Sequence, residues 1–190
     1  MTYIILGVLL FGGFHLFSIL FPGARDAVKR RLGETGWRMM FAAASLIAIG
    51  MLVIGFVLTR GIPAESDVFY EEMPEMRHLT MLLVLLGFIL MASAHGKGYL
   101  RKWLHNPMSI GVALWAIGHL LVNGLRADVY LFGVFLVVAV ADIALSEFRG
   151  KRPAFAPRIR SDVIAVVAGV ALYLVFLYGF HPYILNVPVI

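Results

Sequence analysis

Two imidazoles set inside apolar sequence are the groups of this chain best suited to chemistry. His15 lies in the run from Tyr3 to Phe21, and His119 lies in the run from about Trp103 to Asn123. A ring nitrogen in hydrocarbon is costly unless it is hydrogen-bonded, paired or bound to a metal, so an intramembrane histidine is a functional candidate by default. Asn123 and Asp142 are further strongly polar side chains within such runs. A neutral imidazole can give one nitrogen to a metal while its other N–H is held by a carbonyl or carboxylate. The remaining histidines, His78, His95, His105 and His181, fall near the ends of runs, and interfacial solvation accounts for His78, His95 and His181.

The neighbours of these histidines repeat at helical spacing. Pro107, Gly111, Trp115, His119 and Asn123 recur every four residues and share a face, as do Gly7, Phe11 and His15. Glycine beside an inward-facing imidazole suits a bulky flat ligand, and it equally suits close helix packing. At about 1.5 Å per residue, His15 falls in the inner half of its span and His119 in the outer half, a nominal offset of about 10 Å. Such an offset still allows the two rings to flank a tilted macrocycle. Asp142 falls at a depth similar to His15, where it could accept the second ring N–H. The bland reading of each histidine is a hydrogen bond to a nearby backbone carbonyl, and that of Asp142 is a pairing with Arg149.

Six apolar runs must position these residues: Tyr3 to Phe21, Trp37 to Thr59, His78 to Gly96, Trp103 to Asn123, Ala127 to Ser146 and Val163 to Phe180. Each approaches the roughly 20 residues that cross a bilayer as a helix. The 61% hydrophobic content, 14% charged content and mean hydropathy of +0.90 exclude an ordinary soluble domain. The expected fold is an all-α integral membrane bundle of six transmembrane helices, forming a single domain over residues 1–190. The first run lacks a basic leader and a small-residue cleavage site, and it reads as a retained span.

The net charge of +5 belongs to topology. Arg25, Lys29, Arg30, Arg31, Arg38, Lys97, Arg101, Lys102, Arg149, Lys151, Arg152, Arg158 and Arg160 fall in alternate loops, and only Arg60, Arg77 and Arg126 fall in the others. This bias puts three basic loops in the cytoplasm and both termini on the periplasmic side. The partner it implies is the lipid bilayer, with anionic headgroups at the basic loops, and not nucleic acid. The segment Ala24 to Gly36 reads as a short basic helix on the inner surface. The acidic stretch from Glu65 to Glu75 reads as a solvated outer loop. Breakers at Pro22-Gly23, Gly61 to Pro63, Asn106-Pro107, Pro153 to Pro157 and His181-Pro182 mark the ends of spans. The chain has no cysteine, so disulfides, thiolate metal sites and covalent haem attachment are excluded.

The stretch from Asn106 through Pro107-Met108, Trp115, Gly118-His119 and Asn123-Gly124 resembles the signature of the NnrU family, in which His-Pro-Met leads to W-A-x-G-H-L-x-x-N-G. Gly13-Phe14-His15, Arg31 to Glu34 with Trp37-Arg38, Ser45-Leu46 and Arg77 to Leu79 match further pieces, so the resemblance covers nearly the whole chain. It implies a bacterial inner-membrane protein linked to nitrite and nitric oxide reduction, and thus to a respiratory or denitrification complex. The plant 15-cis-zeta-carotene isomerase is similar to this family and is a haem b protein. Carried over by position, the family's histidines fall on His15 and His119. The resemblance therefore implies haem b with His15 and His119 as iron ligands and Trp115, Asn123 and Asp142 around it. The reaction implied is redox or nitric-oxide-linked, or isomerase-like on a lipid-soluble polyene. One departure stands out: Asn106 replaces the histidine before Pro-Met, and His105 is the nearest substitute.

Two rival readings differ in class. A membrane methyltransferase using S-adenosylmethionine carries an H-P-x-x-x-G segment, of which Asn106 to Gly111 is a weak version. A cofactor-free assembly or scaffold protein for a membrane complex would need none of the histidines as ligands.

Overall fold

A computed structural model describes residues 1–59, 68–150 and 152–187. Arg60 to Pro63, Glu65, Asp67 and Lys151, which entered the breaker, acidic-loop and charge readings, lie outside the described residues. Among the described residues the chain is helical with one isolated bridge, Val68 to Leu125, and no strand. By its internal contacts it divides into two units, Met1–Glu71 with Asn123–Ala141 and Glu72–Val122 with Asp142–Ile190.

In the first unit, helix α1 (Thr2–Leu20) packs along α2 (Pro22–Thr59). Both are apolar over most of their length because lipid, not water, is their solvent. Ile4 and Leu52 are fully buried between them, while Leu9 and Leu46 point outward. A side chain on Gly7 would meet Leu52 and the Ala48 carbonyl within 3.0 Å, so this glycine exists to let two backbones approach. α2 is two helices joined at Gly33, whose φ of +74° suits a residue without a Cβ. The break separates the basic surface piece from the apolar piece that starts near Trp37, where the charge pattern of the sequence expects it. The unit is completed by the first part of α6 (Arg126–Phe148), from which Phe135 meets Phe11 at a ring-centre distance of 4.4 Å.

In the second unit a short turn at Pro74–Met76 leads into α3 (Arg77–Ser93), which packs against both α5 (Pro107–Val122) and α7 (Ile159–Val175). The short helix α4 (Tyr99–Leu104) precedes α5 and is broken from it at His105, φ +60°. α3 and α5 touch backbone to backbone: a Cβ on Gly111 would fall 2.5 Å from the Gly87 carbonyl oxygen. Thr80 Oγ1 donates to the Gly118 carbonyl across the same seam at 2.9 Å.

Five helical stretches are long and apolar enough to cross a membrane, so the chain is a multi-pass membrane protein. The sixth expected span, α5, has 16 residues, about 24 Å at the α-helical rise, because the positive-φ break at His105 removes its first turn. The last span also departs from expectation. It does not stop at His181-Pro182 but continues as a π-helix, Phe176–Ile184, with Pro182 inside it. Proline has no N–H to give, and the wider turn accommodates the missing hydrogen bond.

Candidate functional site

The two intramembrane histidines are built alike. His15 Nδ1 donates to the Phe11 carbonyl at 2.9 Å, and His119 Nδ1 donates to the Trp115 carbonyl at 2.8 Å. Each bond returns to the carbonyl four residues earlier on the same helix. A carbonyl only accepts, so Nδ1 carries the proton and the lone pair of the neutral ring sits on Nε2. This arrangement, with one nitrogen tethered to backbone and the other presented as a donor of electrons, is that of metal-ligating imidazoles. It also satisfies a histidine with no ligand at all.

The surroundings of the two rings differ. In the first unit His15 is half-buried, stacked on Phe11 with ring centres 4.0 Å apart and edge-on to Phe41 at 4.8 Å. In the second unit His119 lies 4.9 Å from the Trp115 ring and 6.2 Å from the ring of His181, whose plane is only 10° from its own. His181 Nδ1 donates in turn to the Phe176 carbonyl at 2.7 Å. A third histidine therefore carries the same tether, and sequence reasoning placed it at an interface. The π-helix turns it inward, and a histidine just before a proline gives no such signal by itself.

The polar residues singled out from the sequence scatter more than the helical spacing implied. Asn123 lies beyond α5, which ends at Val122, and it belongs to the first unit, where its carbonyl accepts the Tyr70 hydroxyl at 2.8 Å. The face shared at every fourth residue thus stops at His119. Asp142 serves the start of α5. Asn106 Nδ2 and Ser109 Oγ both donate to its Oδ2 at 2.6 Å, and Asn106 Oδ1 caps the Ser109 N–H at 3.3 Å. His105 turns to Glu147, with its Nδ1 at 3.1 Å from Oε1, and Arg152 holds the other oxygen of that carboxylate at 2.9 Å. His78 and His95 are exposed at helix ends. Gly7 and Gly111 serve packing and do not form a cradle, since the space beside each is filled by the neighbouring helix.

Two buried carboxylates went unremarked in the sequence. Asp128 sits in the first turn of α6, where the positive end of the helix dipole favours it. Asp162 receives the backbone N–H groups of Tyr99 and Leu100 at 2.8 and 3.1 Å. Among the described residues there is no group of three or more His, Asp and Glu side chains able to hold a metal ion.

A family model described as NnrU protein matches residues 3–189. The chain belongs to the NnrU family. No curated protein and no solved structure matches it. For an NnrU protein the variant position before Pro107 now has a concrete environment, because Asn106 joins Ser109 in tying Asp142 to the first turn of α5. The NnrU match also spans both units and so includes His15, His119 and His181.

Proposed function

We propose that this NnrU protein is a bacterial inner-membrane haem b protein, with His119 and His15 as the imidazoles offered to iron and with its three basic loops in the cytoplasm. The observation that carries the reading is the tautomer. At both positions the ring is tethered through Nδ1 to a carbonyl four residues back, which leaves the lone pair on Nε2, the nitrogen that would coordinate. The donor set suits haem better than a bare metal ion, which takes four or more protein or water ligands where a macrocycle brings its own in-plane nitrogens. The complete lack of cysteine restricts the group to non-covalent attachment. When bound, haem would supply one-electron redox chemistry. The protein's own part is to hold the imidazoles in a fixed tautomer, with Trp115 against His119, and to keep water away. The physiological setting proposed is nitrite and nitric oxide metabolism beside a respiratory complex, with isomerisation of a lipid-soluble polyene as the other reaction such a site would serve.

The test is the visible spectrum of protein purified from haem-replete cells. A Soret band at near-stoichiometric haem, lost in His119→Ala, is the expected result. A colourless wild-type protein that is folded and monodisperse would reject the reading and favour a cofactor-free scaffold.

A further inference from the structure

The charge pattern of the sequence expects anionic headgroups at every basic loop, but the two units dispose of their cations differently. In the first unit Asp26 pairs with Arg25, and Glu34 pairs with both Lys29 and Arg38. In the second unit, the end at which α3 finishes and α4 and α7 start carries Lys97, Arg101, Lys102, Arg158 and Arg160. Among the described residues none of these five has a carboxylate within ion-pairing distance. The acids of this unit that lie nearby are committed elsewhere. Asp162 is buried and accepts the N–H groups of Tyr99 and Leu100, while Glu147 is held by His105 and Arg152. We infer that this end of the second unit is a binding site for an anionic phospholipid, its headgroup received by the basic side chains of residues 97–102 and 158–160 and its acyl chains lying against Trp103 and Ile159. The inference does not depend on haem.

The cations come from two segments nearly sixty positions apart, and the backbone holds those segments together. Arg158 N–H donates to the Lys97 carbonyl at 2.7 Å, and the Asp162 carboxylate fastens the start of α4 across the start of α7. Arg101 is fixed as well: its Nη1 donates to the Gly96 carbonyl at 3.0 Å, and its guanidinium lies 5.5 Å from the centre of the Phe155 ring. Lys97, Lys102, Arg158 and Arg160 are left exposed on the surface so formed. The N–H groups at the start of α4 are used up by Asp162, so the charge offered to a ligand is that of side chains.

Apolar exposure beside these cations selects a lipid over a soluble anion. Trp103 is 69% exposed, with the Tyr99 ring 5.5 Å away, and Ile159, set between Arg158 and Arg160, is 68% exposed. The stretches that end and begin here, Pro74–Ser93 and Ile159–Ile184, are long and apolar enough to cross a membrane, which puts the two aromatic rings at headgroup level. Clusters of about four to eight Lys and Arg next to a membrane helix suit acidic lipid headgroups. Inorganic phosphate would neutralise the cations and leave Trp103 and Ile159 in water, whereas one phospholipid covers both.

The experiment places the full chain in phosphatidylcholine nanodiscs containing a minor fraction of acyl-brominated phosphatidylglycerol or, for comparison, acyl-brominated phosphatidylcholine. Bromine quenches indole fluorescence at contact, and the Trp103 signal is isolated by subtracting a Trp103→Phe protein. Wild type is expected to be quenched more by the brominated phosphatidylglycerol. The preference is expected to fall at least about fivefold in a Lys97→Gln, Lys102→Gln, Arg160→Gln triple variant, the factor for a single basic residue near the surface. It should survive when the same three positions are changed between Lys and Arg, and also in Arg30→Gln, Arg31→Gln, which removes charge from the first unit. Equal quenching of wild type by the two lipids, or an undiminished preference in the triple variant, would overturn the inference. An equal loss in the Arg30, Arg31 variant would overturn it in favour of net charge alone. Loss of the preference on adding inorganic phosphate at constant ionic strength would overturn it in favour of a soluble anion.

Discussion

The carboxylate of Asp162, at the start of α7, occupies the position where a side chain on Gly98 would begin, and from there it caps the N-terminus of α4 through the N–H groups of Tyr99 and Leu100. Two residues more than sixty positions apart in sequence are thereby committed to each other. Removing the cap in Asp162→Ala should cost roughly 1–3 kcal/mol, the range for a buried charged acceptor that leaves backbone donors unsatisfied. Gly98→Ala should cost at least as much, because its methyl group evicts the carboxylate. The informative measurement is the double variant by thermal unfolding in detergent. Since Gly98→Ala has already broken the cap, the two losses should be markedly less than additive, and simple additivity would refute the coupling.

Asp142 joins Asn106 and Ser109 at the first turn of α5, and its neighbours define what residue 106 must do. It must donate to a carboxylate and, through Oδ1, accept from Ser109 N–H. Asn106→His keeps the donor and should retain most of the stability, whereas Asn106→Leu and Asp142→Ala should each lose about 2 kcal/mol by leaving polar groups of a half-buried cluster unsatisfied. Thermal midpoints of the three variants decide it. A leucine variant as stable as wild type would show that the network contributes nothing.

How far the sequence reaches is clear from these residues. The positions of most spans, and a basic helical piece read over Ala24 to Gly36 that the structure breaks at Gly33, follow from local rules: hydropathy and charge placement. The failures are tertiary. Helical spacing carried Asn123 onto the His119 face, but the helix stops at Val122, one residue short. Proline at position 182 implied an end, and a π-helix absorbed it instead, bringing His181 to His119. The glycines beside the histidines were ambiguous between cradle and contact until the neighbouring helix was in view. No local signal pairs Asp162 with Gly98, because the contact exists only after α4 and α7 meet.

Glycine substitutions should separate into two classes. A Cβ on Gly169 would lie 2.5 Å from the Ile89 backbone, whereas nothing lies within 4 Å of one on Gly50. Gly169→Ala must therefore push α3 and α7 apart and should destabilise by about 1–3 kcal/mol, the usual cost of overpacking. Gly50→Ala should be neutral or stabilising by up to about 1 kcal/mol through helix propensity. Unfolding in mild detergent compares them directly. Equal effects at the two sites would mean that the α3–α7 seam is not tightly packed.

Acid should loosen the junction between the surface helix and the apolar part of α2. Arg38 and Lys29 both bond the Glu34 carboxylate, at 3.1 and 3.4 Å, one residue after the Gly33 break. The hydrogen bond from Arg38, followed by that from Lys29, holds this carboxyl below its ordinary range. A group whose pKa is lower in the folded state contributes stability that is complete above its unfolded pKa and is lost as pH falls through the folded value. The grip should therefore be constant at neutral pH and should fade only below the ordinary glutamate range. The effect will be small, since the carboxylate is exposed and screened by solvent and salt. Amide hydrogen exchange across residues 29–38, corrected for intrinsic rates, should show protection that falls on acidification in wild type and is already reduced and pH-independent in Glu34→Gln. The same acid response in both proteins would place the titrating group elsewhere.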